Sequence, residues 1–485
     1  MTRTQQSSDG HRAPSVSQGV LGWSLACTMA WASLLGCDVD NPGTPVPDAR
    51  LNFPIALTLG GVRAPGEPAP YLLVANSNFD LRYASGSLQS YSLEAIEAAL
   101  ASAVTAGTCA PEDGTICRVA DSELPALMRD EVLLGSHMDG LVLGSRGDRA
   151  YLPVRSGRGG LTWVDFDPAS GALRCGVQDA GGRQVCDALH READGAEASR
   201  LGLTLPSDPV ALAVVPASRL AAGRQGDALV MAHRNGNASL FLDEHAAGSD
   251  EGPRFVHTVG GVPNDVVTAE ADPTGLVWLT SAAQVASRQT RDLVALEVVL
   301  GGPEDTFVAQ LGIARRMALR GVDDGFDTRD LAFDETGGTL WVLARRPEAI
   351  VTVDLTRVPA VLGDAPLGPV WPVGFGPSRV ERFALPVDPD GAGPRAAEAH
   401  TFLLASCFDA RSLFVVDPAL GVVATVAGLD GPFEMVVDEA RQHAYVVDFR
   451  LSYVWVIDLA PLAAGGAPVT LGRIGSGRAP SVFVR

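Results

Sequence analysis

From residue 53 onward, apolar positions come in short runs. Residues 432–437 (PFEMVV), 443–448 (HAYVVD) and 453–458 (YVWVID) are three in a row. Each run is four to seven residues long, rich in β-branched or aromatic side chains, and bounded by Gly, Pro, Asp or Asn. Runs of that length with those borders predict β-strands, and their close spacing predicts antiparallel hairpins. Two segments read instead as short helices, residues 92–104 (SLEAIEAALASAV) and residues 308–320 (VAQLGIARRMALR).

The strand triplet recurs along the chain. Copies span residues 53–93, 140–165, 210–243, 265–280, 329–354, 383–417 and 432–458, which makes seven. Those at 265–280 and 383–417 are the least regular. One copy alone cannot bury both faces of its sheet. Radial stacking gives neighbouring copies a shared core and leaves only short edges, which predicts an all-β fold of the β-propeller type. Seven blades are expected, with six or eight left open by the uneven spacing, and the helices belong to insertions. The final run, residues 481–484, is a candidate to close the ring, unless residues 53–59 already fill the innermost place of the first blade.

The triplets resemble the YVTN family of propeller repeats. There an apolar strand following Pro-x-x leads into Φ-Y-V-x-N and then V-S-V-I-D. Leu72-Leu73-Val74-Ala75-Asn76 and Val454-Trp455-Val456-Ile457-Asp458 carry the resemblance best, and it covers Asn52 to the C-terminus.

The N-terminus has another character. Residues 1–19 are polar with Arg3 and Arg12, and residues 20–36 (VLGWSLACTMAWASLLG) are apolar and small. That length suits a signal-peptide core and lies at the lower limit for spanning a bilayer. The ending Leu34-Leu35-Gly36-Cys37 resembles the bacterial lipobox. The resemblance implies a signal peptide over 1–36 and lipid on Cys37, with a membrane as partner. A plain signal peptide or anchor helix is the alternative. Residues 37–51, rich in Pro, Asp and Gly, read as a lipid-anchored flexible tether, and 52–485 as the propeller.

Cysteine usage fits an envelope location. Of seven cysteines, Cys27 belongs to the leader and Cys37 to the lipobox. Cys109/Cys117 and Cys175/Cys186 each flank a short segment. Four cysteines allow three pairings, and loop closure favours these two local ones. Disulfides belong to oxidising compartments, here the periplasm or outer surface. Cys407 lies in an apolar run and reads as a buried small side chain.

Composition then removes whole classes. The chain of 485 residues has 37 Lys+Arg against 57 Asp+Glu, a formal charge of −20, and contains no lysine. Walker A, kinase, pyridoxal-phosphate and Ser-Lys chemistry are thereby excluded. The acidic balance argues against nucleic acid as a partner. No H-E-x-x-H, G-x-S-x-G, C-x-x-C-H or strand-to-helix G-x-G-x-x-G is present.

Aligning the copies at the start of the innermost strand brings out a pattern. Asp139, Asp208, Asp265, Asp330 and Glu434 fall near the position two after the introducing Pro or its equivalent. The turn after the second strand lies on the same face and offers Asn76, Arg155, Arg234, Arg345, Asp448 and Arg450. One reading is a polar funnel for a ligand or a divalent cation in the central channel. The other is structural, with each acid bound to backbone N–H groups or to an Arg of a neighbouring blade. Arg146-Gly147-Asp148 spells an adhesion tripeptide but falls where a turn is needed. Asp323, Asp324, Asp327 and Asp330, and the loop 388–391, lack a complete calcium-ligand series. The expected function is a binding or interaction module of the envelope without a cofactor, with a protein or polysaccharide partner. The alternative is a propeller enzyme, a lactonase-like or metal-dependent hydrolase or lyase, with its site at the channel mouth.

Overall fold

The computed structural model describes residues 44–475 and residue 477, apart from 62–65, 157–158, 180–181, 199–201, 221–225, 246–248, 250, 283–291, 302–307, 320–326, 359–361 and 388–397. The expected leader 1–36, Cys37, Asp323, Asp324, the loop 388–391 and the run 481–484 lie outside the described residues.

Each sequence copy becomes one blade of a seven-bladed β-propeller. Within a blade the strands follow chain order from the channel outward and pair antiparallel. The innermost strands are Pro54–Gly60, Val142–Leu143, Pro209–Val215, Val266–Ala271, Asp327–Phe333, Pro377–Val387 and Pro432–Asp438. The turns entering the innermost strand and those between the second and third strands share one face, here called the mouth face.

Seven apolar clusters hold the ring, one in each seam between neighbouring blades. This is the radial solution to a sheet that cannot bury its faces alone. Cys407 is free and buried, and burial pushes its thiol up to about 12. The seam between blades 2 and 3 also encloses charge. Buried Arg149 pairs with Asp165 at 2.7 Å and with Asp243 at 3.1 Å, and donates to the carbonyls of Ser249 and Glu251. Burial alone would raise Asp243, but His245, Tyr151 and Arg149 outweigh it and bring it to about 2. Arg146 of the adhesion-like tripeptide bonds His245 across the same seam.

Of the two expected helices, one forms. Leu93–Thr105 is capped by Ser92, which accepts from the Ala95 N–H, and it buries Leu93, Ile96 and Leu100 at helical spacing. The other, 308–320, is a strand. Val308–Ala318 matches Asp292–Gly301 at ten paired positions. Its Ala, Leu, Met and Arg favour a helix, but Gly312 weakens one, and burial alternates from Ala309 to Leu311 with Gln310 exposed between them. Tertiary pairing overrides a modest propensity.

Among the described residues no strand is shared between the first and last blades. Pro54–Gly60 fills the innermost place of blade 1, and all four main strands of blade 7 come from the C-terminal end. Closure comes from an insertion. The segment after the third strand of blade 1 carries the helix, the Cys109–Cys117 disulfide and the short strand Cys117–Val119, which pairs parallel with Gly472–Ile474 at the outer edge of blade 7. The helix and both cysteines join the apolar cluster of that seam. The same device recurs twice. Gln184–Val185 of blade 2, beside the Cys175–Cys186 disulfide, pairs parallel with the outer strand of blade 1. Leu362–Asp364 of blade 5 pairs parallel with the outer strand of blade 4. In each case an insertion covers the preceding blade's edge, which would otherwise present unpaired backbone groups.

Residues 44–52 lie against blade 1. Thr44 accepts from the Ala84 N–H at 3.0 Å, and Val46, Ala49 and Leu51 are buried. Gln89 donates to Glu131, whose other oxygen accepts from the Ala49 N–H.

Candidate functional site in the central channel

The site begins with an irregularity that the inner strands share. Their ladders slip by a β-bulge near the mouth face, skipping Ile55, Val210, Val267, Arg329, Ser378 and Phe433. Asp139, next to the bridge from Met138 to Val154, is the counterpart in blade 2. A bulge turns the extra side chain out of the ladder. Here all seven line one vestibule of about 180 Å³, together with Arg234, Arg345 and Arg379.

Below it lies a chamber of about 550 Å³. The residue after each bulge faces it, and so, in every blade but the third, does the residue two further on, as strand alternation requires. The first layer reads Ala56, Gly140, Ala211, Thr268, Asp330, Arg379, Glu434 around the ring, and the second includes Thr58, Val142, Glu270, Ala332, Glu381 and Val436. The wall is therefore divided. Blades 1 to 3 contribute small or apolar side chains, and every charge in these two layers comes from blades 4 to 7.

That charged wall has four carboxylates around one guanidinium. Arg379 Nε donates to Glu434 Oε2 at 2.7 Å, and its guanidinium lies 5.2 Å from the Phe433 ring centre. Burial works against the charge on Arg379, but Glu434 and Asp330 outweigh it and hold it firmly protonated. Asp330 accepts from the Val380 N–H at 2.8 Å. Burial, partly offset by Arg379, lifts Asp330 to about 6. Glu270 is lifted to about 8 by burial and then by Asp330 and Glu434. Its side chain is exposed to the open channel space while protein surrounds it at longer range, and that enclosure favours its protonated form. Glu381 is raised well above the carboxylate range, by burial first and then by Glu270 and Glu434. At neutral pH the wall thus holds neutral carboxyl groups beside ionised ones.

The five aligned acids do not share a level, because the bulges offset them. Asp208 and Asp265 precede their strands at positive φ, 59° and 53°, on the rim. Asp139 borders both the vestibule and the chamber, where it acts on Arg379 from blade 2, and Asp330 and Glu434 line the chamber alone. On the rim, Arg155 bridges two blades, meeting Asp139 at 3.1 Å and Asp208 at 2.7 Å. Burial raises Asp139 and Arg155 pulls it back. Arg234 stands 4.0 Å from both Asp208 and Asp265. Arg345 pairs with Asp409 at 2.9 Å and reaches the vestibule.

Three expected residues line neither cavity. Asn76 accepts from the Asn52 N–H and donates to Ser87 and Gln89, fully buried in blade 1. Asp448 accepts from the N–H groups of Asp430 and Gly431 and from Trp455. Arg450 lies over the Phe408 ring at 4.8 Å. Among the described residues, no three His, Cys, Asp or Glu side chains converge as a metal-holding group. Sequence alignment alone passes over Arg379, Glu270 and Glu381. Alternation along the inner strand, Arg379–Glu381 and Thr268–Glu270, is the signal that could have found them.

Fold and site together define a seven-bladed β-propeller with a polar, two-level channel. No known protein-family model matches the chain, and no curated protein matches it. Solved structures resemble it at low identity. A protein from Lactobacillus plantarum is 13% identical with a TM-score of 0.47, covering 87% of this chain and 96% of its own. The periplasmic gluconolactonase of Pseudomonas aeruginosa is 15% identical with a TM-score of 0.45, covering 78% and 86%. A putative 6-phosphogluconolactonase from Bacteroides uniformis is 12% identical with a TM-score of 0.39, covering 75% and 80%.

Proposed function

We propose that the chain is a binding module of the cell envelope that takes a hydroxyl-rich ligand, such as the end of a polysaccharide, into its channel chamber. Lipid on Cys37 and an envelope location belong to the same reading. Two disulfides suit an oxidising compartment, and among the described residues no helix is long and apolar enough to cross a membrane.

The observation that carries the reading is the divided wall. Ala56, Gly140 and Ala211 leave free space opposite Asp330, Arg379, Glu434, Glu270 and Glu381. A ligand lying there meets neutral carboxyl groups and a guanidinium that donate, and carboxylates that accept. Hydroxyl groups both donate and accept, so a saccharide matches that mixture. The test is calorimetric titration with glucose, gluconate and galacturonate oligomers. Saturable binding by one of them is expected. Ala211→Phe, which fills the space and leaves every charge in place, should weaken it at least about tenfold, or about 1.4 kcal/mol. No saturable binding, or unchanged binding in that variant, overturns the proposal.

A second reading, a lactonase-like hydrolase, is favoured by one observation. Glu270 near 8 and Asp330 near 6 form an acid–base couple on one wall at neutral pH. It predicts lactone or ester turnover confined between those two values and lost in Glu270→Gln.

A further inference from the structure

We propose that the mouth face of blade 1 rests on a lipid surface, with Phe79 and Leu81 as the side chains that enter it. The inference is independent of the channel ligand and rests on the reading of the N-terminus as membrane-attached.

The turn between the second and third strands of blade 1 carries both residues. Phe79 is 48% exposed and Leu81 is 60% exposed. They are not isolated. Phe79 packs on Phe53 and Phe449 with ring centres 6.3 and 5.4 Å apart, and on His137 at 5.7 Å. Aromatic contacts from blades 7, 1 and 2 thus fix the exposed ring, so its exposure is not the swing of a loose loop.

The chain's entry point lies at the same turn. Thr44 forms a bridge with Tyr83, two residues after Leu81, and accepts from the Ala84 N–H at 3.0 Å. Cys37, the end of the lipobox, is only seven residues before Thr44. Seven residues span at most about 25 Å when fully extended. Attachment at Cys37 would therefore keep this face within about 25 Å of the bilayer, near enough for Phe79 and Leu81 to reach it. The net charge of −20 gives no attraction to an anionic surface, so apolar insertion must supply the contact.

The experiment uses the full, lipid-modified chain in phosphatidylcholine vesicles. An environment-sensitive fluorophore is attached to Phe79→Cys, to Leu81→Cys, or to Leu420→Cys. Leu420 is 78% exposed and lies in the turn between the third and fourth strands of blade 6, on the opposite face. The native Cys407 is buried and does not compete for label. Labels at 79 and 81 should shift to the blue on vesicle binding. Shallow lipid-borne quenchers should quench them at least about threefold more than the label at 420. Equal quenching at the three sites overturns the proposal. So does a chain not recovered with vesicles, or a blue shift at 79 that appears without lipid as protein concentration rises, which would mark a second copy as the occupant. Saccharide binding in the Phe79→Cys protein should be unchanged, which separates this failure from a failure of the channel reading.

Discussion

The two walls of the channel are built from the same strand position yet behave oppositely. In blades 1 to 3 the residue after the bulge is Ala56, Gly140 or Ala211, and in blades 5 to 7 it is Asp330, Arg379 or Glu434. The backbone repeats while the chemistry does not. A fold that needed carboxylates for closure would spread them evenly around the ring. Their concentration on one side, with proton affinities pushed upward, sets that wall apart from the paired acids of the rim.

The sharpest way to break the contrast is Arg379→Met. It leaves the four carboxylates without their cation. At pH 7 the variant should lose about 3–5 kcal/mol of stability, as expected when one partner of a buried ion pair is removed. Much of the loss should return at pH 5, where the carboxyl groups take up protons. Denaturant titration at both pH values is the check, and equal losses would show that Arg379 matters only for packing.

The next test is pH itself. Glu270 near 8 and Asp330 near 6 lie above their ordinary values of 4.5 and 3.8. Through these two groups the folded state binds more protons than the unfolded state between those limits, and their contribution to stability falls as pH rises from about 4 to 8. His233, lowered to about 4 by burial, works the other way below about 6.5 and offsets part of the fall. Asp243, held near 2, gains its stabilisation above about 4 and loses it only as pH falls toward 2, so it does not mask the trend. The melting temperature should drop by several degrees between pH 5 and pH 8, and Glu270→Gln should flatten the drop. A flat profile in the unmodified chain would remove the case for a proton-holding wall.

The rim supplies the smallest effects. Asp208→Asn and Asp265→Asn touch partly exposed pairs with Arg155 and Arg234, and each should change stability by less than about 1 kcal/mol. Asp330→Asn, one level lower, should instead stabilise the protein at pH 8 by removing a like charge beside Glu270 and Glu434. If all three Asn variants behave alike, the acids do form one ring and the distinction between rim and chamber fails.

Most of the architecture was legible in the chain. All seven strand copies, the helix at 93–105 and both local disulfides are present because each depends on nearby residues: alternation, a Ser cap, short loops. What escaped depends on distant ones. Val308–Ala318 is a strand because Asp292–Gly301 pairs with it, and the closing strand Cys117–Val119 has meaning only beside Gly472–Ile474. The site was half legible. Asp139, Asp330 and Glu434 reach the channel, but the bulges that set their depth leave no mark in a list of aligned acids. Arg379 was hidden because the sixth copy reads as starting at Phe383, past Pro377, which in fact introduces the strand two residues before Arg379.

The insertion that completes the ring has a consequence for how the molecule is made. A chain emerging from its N-terminus completes blade 1 some 340 residues before its partner edge, Gly472–Ile474, exists. The Cys109–Cys117 loop is eight residues long in sequence and can be oxidised early, before any ring is present. While incomplete, the folding chain is thus an open arc carrying a ready-made clasp. The last strand to be made is the one that lets it fasten, so truncation near residue 470 should yield a chain that never becomes protease-resistant.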